Sequence, residues 1–485
     1  MIKHLKQHLV IAQAPTPAAK PRVFSVSFRD NPESVQGVRE DDAVGMVAEV
    51  AIGDERVRND FDSVSIFQRP VFNATWNESA GRWENFVKMG EEGFTLTPTE
   101  PHREVVYRST PFWYYADFEG EISPSFISVS DQPRQGFRLA PMFKNGTTPV
   151  YRPCFEMAIG EDGLPHSRAG LTPFTGSPNE IIGCAKEYSS RARSETLEEW
   201  FSDYLLLLVE FGTRDLQSIF GGHFGTDTPV HLYQPSGNEG DVNVHERFYV
   251  CPDIPLIEGV TYTLVREHYA TGTYVSQNVV LKDVVFLESE GIYLFSIENE
   301  DYHQLIDGYG GFELRFIPCL TGTALSVVTK ASSGTCARAG THGPFVWRGK
   351  ENTWGNVNSL IFNLICRLGY DNNLLVYYLK DGEHFDGTLN EHYELQEELA
   401  EFYPGSHMFI RTFVPLGEAG IFPSELTYEY PCLYFNASVH VFYSTAEDTN
   451  FVAVGGGHTI FEGVNHATME ILRDDCLEFG GRLTL

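Results

Sequence analysis

His4 and His8, four residues apart, have the spacing of a two-histidine metal face on a helical turn, which zinc uses when a third and fourth ligand lie nearby. Without those ligands the pair reads as a solvated basic face. Residues 343–350, GPFVWRGK, approach a phosphate-cradling loop. The spacing is one residue too long, and Glu351 stands where a Ser or Thr must reach magnesium. No GxSxG elbow or HExxH helix is present, and no GxGxxG sits between a strand and a helix. Among 66 Asp and Glu residues, neighbours such as Asp474 and Asp475, or Glu397 and Glu398, are no sign of acid–base work. No cofactor is expected; hard-cation chemistry leaves calcium open at the acidic turn 371–373. The most suggestive segment is HTIFEGVNH, residues 458–466, which follows three glycines and combines His458, Thr459, Phe461, Glu462, Asn465 and His466. Aromatic and hydrogen-bonding side chains on a scaffolded loop suit recognition, although a plain surface loop with Phe461 tucked beneath it has the same composition.

The elements that would position such residues are mostly strands. The chain has 485 residues, beyond the size at which one core keeps growing, and 42% of them are hydrophobic, so two or three domains are expected. With 35 Lys and Arg against 66 Asp and Glu, the net charge is −31, which repels phosphate backbones and argues against nucleic acid as a partner. No apolar run approaches the length of a membrane-spanning helix, so the protein is not expected to be membrane-embedded. The N-terminal apolar run HLVIA is too short for a secretory h-region. The eight cysteines are scattered and without metal spacing, as buried thiols in a reducing compartment would be. The four N-x-S/T sequons, at Asn73, Asn77, Asn145 and Asn436, read as chance occurrences.

The fold class expected is α+β, mostly β. Residues 1–21 end in APTPAAKP and read as an anchor or tether. Residues 22–150 form an N-terminal β domain, with strand-like VFSVSF, GMVAEVAI, SVSIFQRPVF, FWYYADF and SFISVS. Residues 151–485 form a second domain carrying an inserted β unit at about 237–333, where ERFYVC, VTYTLVREHY, NVVLKDVVFL, GIYLFSI and FELRFIPCL recur. A single strong helix is expected after Thr196, whose capping box with Glu199 precedes Leu197, Trp200, Phe201, Tyr204, Leu205 and Leu208 at helical spacing. FNLICRL and LLVYYL flank the turn GYDNN at 369–373, a hairpin pattern.

Three ordered stretches resemble phage and prophage minor structural proteins with a formylglycine-generating-enzyme-like, C-type-lectin-like domain. They are PFWYYADFEGEISPSFISVSDQPRQGFRLAPMF (111–143) followed by PCFEMAIGEDG; SRARSETLEEWFSDYLLLLVEFGTRDLQSIFGG (190–222), with Glu210, Gln217 and Ser218 in place; and WRGKENTWGNV (347–357) through GIFPSE (420–425) to VGGG and FGGRLTL. The resemblance covers roughly residues 105–485 and implies a bacteriophage virion component, commonly a tail-tip, fibre or tropism-determining protein and often a homotrimer. Its ligand surface lies in the C-terminal segment, which some relatives diversify through a retroelement. Carried over by position, the receptor-binding residues would be His458, Thr459, Phe461, Glu462, Asn465, His466 and Thr468. His458 departs from the family's Trp after the glycines, and the Trp-rich text that follows Gly-Asn-Val in the family is replaced here by Asn358-Ser-Leu-Ile.

The expectation is thus a non-enzymatic virion protein, made in the host cytoplasm. It would bind other virion proteins through residues 1–21 and the N-terminal β domain, and a host glycan or surface protein through its C-terminal surface. A trimer would add avidity. A capsid or collar decoration protein, with the lectin-like fold as an assembly module, is the alternative. A copper-dependent oxidase of the formylglycine-generating type is more remote, because Cys336, Cys366, Cys432 and Cys476 match no reactive pair. Gly355, Gly480 and Gly481 are expected to permit close backbone approach, and Trp347, Trp354 and Arg482 to belong to the core and its ion pairs.

Overall fold

The computed structural model describes residues 21–52, 57–144, 146–220, 230–232, 248–250, 261–268, 273–287, 292–297, 312–315, 321–322, 335–336, 345–354, 357–369, 373–380, 385, 388–399, 406–427, 438–441, 449–454, 467, 469–473 and 479–485. Its architecture is mostly β-sheet with few helices. The tether reading of the N-terminus falls on residues outside this set, apart from Pro21.

Residues 21–153 supply two antiparallel sheets. One runs in the order Val38–Asp41, Val23–Ser27, Phe126–Ser130, Trp113–Asp117, Arg138–Leu139. The other runs Val150–Pro153, Arg103–Ser109, Val71–Asn77, Arg82–Lys88. Two stretches that read as strands behave differently. GMVAEVAI yields only the short strand Ala51–Ile52, and SVSIF winds into 3-10 turns, Asp60–Ser63 and Ser65–Phe67. The Asn59 side chain accepts the Phe61 amide at 3.0 Å, starting a turn that buries Phe61, Ile66 and Phe67. Local side-chain capping thus overrides strand propensity. Asn73, a sequon residue, is itself buried and bonds the Thr95 backbone in both directions.

Two helices of more than ten residues follow. Helix α1, Pro178–Tyr188, is absent from the sequence reading although its start carries a full signature: Ser177 caps it, Pro178 occupies the first turn, and Glu180 completes a capping box. Helix α2, Leu197–Phe211, begins at the expected Thr196–Glu199 capping box and ends at Gly212 in the left-handed conformation, φ 66°. Apolar residues at helical spacing imply one buried face. Instead every residue of α2 is buried. It packs against Val23–Ser27 and Phe126–Ser130 of the first sheet, the turn Pro141–Phe143, and the strands Asn358–Leu368 and Gly420–Thr427. One hydrophobic cluster therefore runs from Phe24 to Ile471 through α2, each large buried side chain contributing about 1.5–3 kcal/mol.

The strand-like text between 237 and 333 does form strands, Phe248–Val250, Thr261–His268, Thr273–Leu287, Ile292–Ile297 and Phe312–Arg315. With Val230–Leu232 they make a six-stranded sheet of their own. Besides a four-stranded sheet joining Ala51–Ile52 to Thr335–Cys336, Phe345–Trp347 and Lys350–Glu351, and the pair Ala158–Ile159 with Pro165–His166, one sheet has nine strands. Its order is Tyr393–Leu399, Leu374–Leu379, Asn358–Leu368, Asn450–Val454, Met469–Arg473, Ser438–Val441, Ser406–Leu416, Gly420–Thr427, and Phe479–Gly480 pairs in parallel with Asn358–Leu368. The expected hairpin is present, Asn358–Leu368 pairing with Leu374–Leu379 and closed by the Gly369 amide to the Asn373 carbonyl at 2.7 Å.

Close approach explains the closing glycines. A Cβ on Gly480 would lie 2.5 Å from Val357 Cγ2, and one on Gly481 would lie 2.8 Å from Ser194 Oγ. Because β-branched Val357 cannot swing aside, Gly480→Ala should cost about 1–3 kcal/mol of stability by overpacking. A urea midpoint equal to wild type would contradict this.

Candidate functional site

Helix α2 carries acids at 198, 199, 203 and 210 on faces that all point inward, so each must meet a donor. Glu199 pairs with Arg193 at 3.2 Å. Asp203 receives Arg69 at 2.5 Å, Arg152 at 3.0 Å and Lys350 at 3.1 Å. Glu195, just before the helix, receives Arg152 and also Lys350 at 2.6 Å. Burial alone would raise the Glu195 carboxyl, but Lys350 and Arg152 override it and hold it down at about 2. Burial also lowers Lys350, more than Glu195 and Asp203 raise it. Glu210 takes four donors, from Asn59, Trp347 and twice from Arg348.

The motifs behind the family resemblance converge on these clusters. Trp347, Arg348 and Lys350 come from one stretch and meet Glu195, Asp203 and Glu210 from another. Arg482, from the chain end, donates to the carbonyls of Glu351, Asn352 and Cys154. Trp347, Trp354 and Arg482 are all about fully buried, as the sequence suggests. Side chains sealed in this way organise the core; they offer no surface to a substrate.

A cleft of about 690 Å³ opens beside the first turn of α2, among Tyr114, Arg138, Lys144, Glu198, Tyr378 and Glu418. Lysines and tyrosines reach it from three directions. Glu198 of α2, 3% exposed in its side chain, accepts Lys144 at 2.6 Å, Tyr378 at 2.5 Å and Asn363 at 2.8 Å. Burial would raise its carboxyl, yet Lys144 and Tyr378 hold it below the usual range. Tyr378 lies on the strand next to the edge strand Tyr393–Leu399, which carries Gln396, and Glu418 lies in the turn joining the two strands at the other edge. A Cβ on Gly417 would come within 3.6 Å of Gln396 Oε1, so the sheet curls around α2 until its edges face each other. The site is concave, with a few charged and phenolic groups set among apolar lining such as Leu139, Pro141, Leu416 and Ala419, as small-molecule sites are.

The residues read as receptor-binding, His458, Thr459, Phe461, Glu462, Asn465, His466 and Thr468, lie outside the described residues, as do Gly355 and most of the calcium candidate 371–373. The described residues on either side of the recognition segment are informative. The chain leaves the sheet at Val454 and returns at Met469, and these two residues are register partners on adjacent antiparallel strands. Asn450–Val454 is buried throughout, and Ala467 and Met469 belong to the main core. The segment thus starts and ends on the most solid part of the sheet.

Cys154, Cys184 and Cys366 are free and buried, and burial pushes each thiol up, Cys184 to about 12. Among the described residues, no three His, Cys, Asp or Glu side chains are grouped to hold a metal ion, and no helix is long and apolar enough to cross a membrane. No protein-family model matches the chain, and no curated protein matches it.

Proposed function

We propose that this protein is a non-enzymatic bacteriophage virion component whose lectin-like C-terminal region attaches the particle to a host receptor, a glycan or a surface protein. The observation that carries the reading is the framing of residues 455–468. Both ends are anchored side by side on adjacent strands at Val454 and Met469, and core packing resumes at Ala467, so residues 455–466 can be exchanged between them without altering the flanking core. The convergence of the resembling motifs on two buried charge clusters supports the same reading, since those residues then have a structural reason to be where they are.

Electron microscopy of intact particles with antibody against residues 345–485 tests it. Label at a tail tip or fibre is expected, and Phe461→Ala should reduce adsorption about tenfold or more while leaving incorporation intact, as loss of an aromatic anchor does. Label confined to the capsid or collar would replace attachment with decoration, and unlabelled particles would remove the virion reading altogether.

A further inference from the structure

A second cleft, of about 410 Å³, lies between the 3-10 turns, the strands Val71–Asn77 and Arg103–Ser109, and the tight turn at Arg348 and Gly349. Its charged lining is Arg69, Lys88, Arg108 and Arg348 against a single acid, Asp62. In a chain of net charge −31 this concentration of cations is against the trend. The turn is held close to the sheet. Arg348 has φ 49° and Gly349 φ 84°, and a Cβ on Gly349 would press within 3.0 Å of both Tyr107 and Val71.

The polar atoms around the cleft are unevenly satisfied. Arg348 is fully used: it donates to both Glu210 oxygens and to the Phe67 carbonyl, and lies 3.4 Å from Asp62. Arg69, with only 1% of its side chain exposed, spends one nitrogen on Asp203, and its Nε and Nη1 have no hydrogen-bond partner. It stacks on Trp347, with the guanidinium carbon 4.4 Å from the ring centre. The neighbouring Arg108 Nε, Arg152 Nε and Tyr107 hydroxyl are also buried without partners. Each of these can donate, and unmet buried donors are costly, while the one acid of the cleft, Asp62, faces Arg348 instead of them.

We propose that this cleft binds a phosphate-type oxyanion, free or as a group on a larger ligand. Lys88, exposed at the rim, and Arg108, half-buried, would contact it directly. Arg69 would add its free Nε and Nη1, whereas Arg348, already committed to Glu210, shapes the wall. The virion assignment is not needed for this inference, because binding is measured on the isolated protein.

The test is titration of the full-length protein with sodium phosphate, sodium sulfate and glycerol phosphate, against sodium chloride at equal ionic strength. Calorimetry and thermal melting provide the readouts. Saturable phosphate binding with a dissociation constant below about 1 mM is expected, with a matching rise in melting temperature. Glycerol phosphate binding as tightly as free phosphate would assign the cleft to a phosphate group carried on a larger ligand. Lys88→Gln and Arg108→Gln should each weaken binding about fivefold to tenfold. Lys88→Gln should leave the melting temperature in chloride unchanged, since that side chain is exposed. No saturable heat up to about 10 mM phosphate, or equal affinity in wild type and both variants, would overturn the proposal. The second result would mean that the general stabilising effect of such salts had been observed instead.

Discussion

Replacing Glu195 with Gln is expected to destabilise the fold by about 3–5 kcal/mol, and by more than Lys350→Met does. The order follows from the charges in direct contact. Arg69, Arg152 and Lys350 face Glu195 and Asp203, three cations against two anions, all nearly or fully buried. Losing Lys350 leaves this set neutral. Losing Glu195 leaves three cations around one carboxylate, a state the interior relieves by stripping the proton from Lys350, which burial already favours. Urea unfolding of the three proteins at pH 7 gives the ranking, and a costlier Lys350→Met would contradict it.

The same carboxylate predicts acid behaviour. Its folded value of about 2 lies below the ordinary 4.5, so its contribution is complete above pH 4.5 and is lost as pH falls toward 2. The wild-type urea midpoint should therefore fall more steeply across that window than the midpoint of Glu195→Gln. Parallel curves would show that Glu195 is not held down by its partners.

Glu210→Ala should cost a similar amount, about 3–5 kcal/mol, for a different reason. Its carboxylate accepts Asn59 at 2.8 Å, Trp347 at 3.0 Å, and Arg348 at 2.6 and 2.7 Å. Truncation strands the Arg348 cation in the interior along with two neutral donors. Adding Arg348→Met to Glu210→Leu should recover more than half of the loss, because the apolar pair leaves only the partly exposed Asp62 without its cation. Strict additivity of the two single substitutions would show that the ion pair contributes nothing and that the penalty is one of packing alone.

These two clusters show where sequence reading stops. The capping box at Thr196 and the spacing of Leu197, Trp200, Phe201, Tyr204, Leu205 and Leu208 determine helix α2 locally, because they depend on contacts three and four residues apart. Apolar runs on either side of a turn signal likewise determine the strands that pair across short turns, such as Asn358–Leu368 with Leu374–Leu379. The Ser177–Glu180 signature of α1 is equally local and was open to the same reading. Which partners the acids of α2 meet is not local. Glu210 and Arg348 are joined across 138 positions, and Glu195 and Lys350 across 155. In a chain with 66 acids and 35 bases no spacing rule selects those pairs. Both clefts are likewise products of tertiary structure: one exists because the nine-stranded sheet curls edge to edge around α2, the other because the turn at Arg348 and Gly349 is pressed against the N-terminal strands. The burial of every face of α2 has the same origin, since it takes two sheets from opposite ends of the chain to enclose one helix.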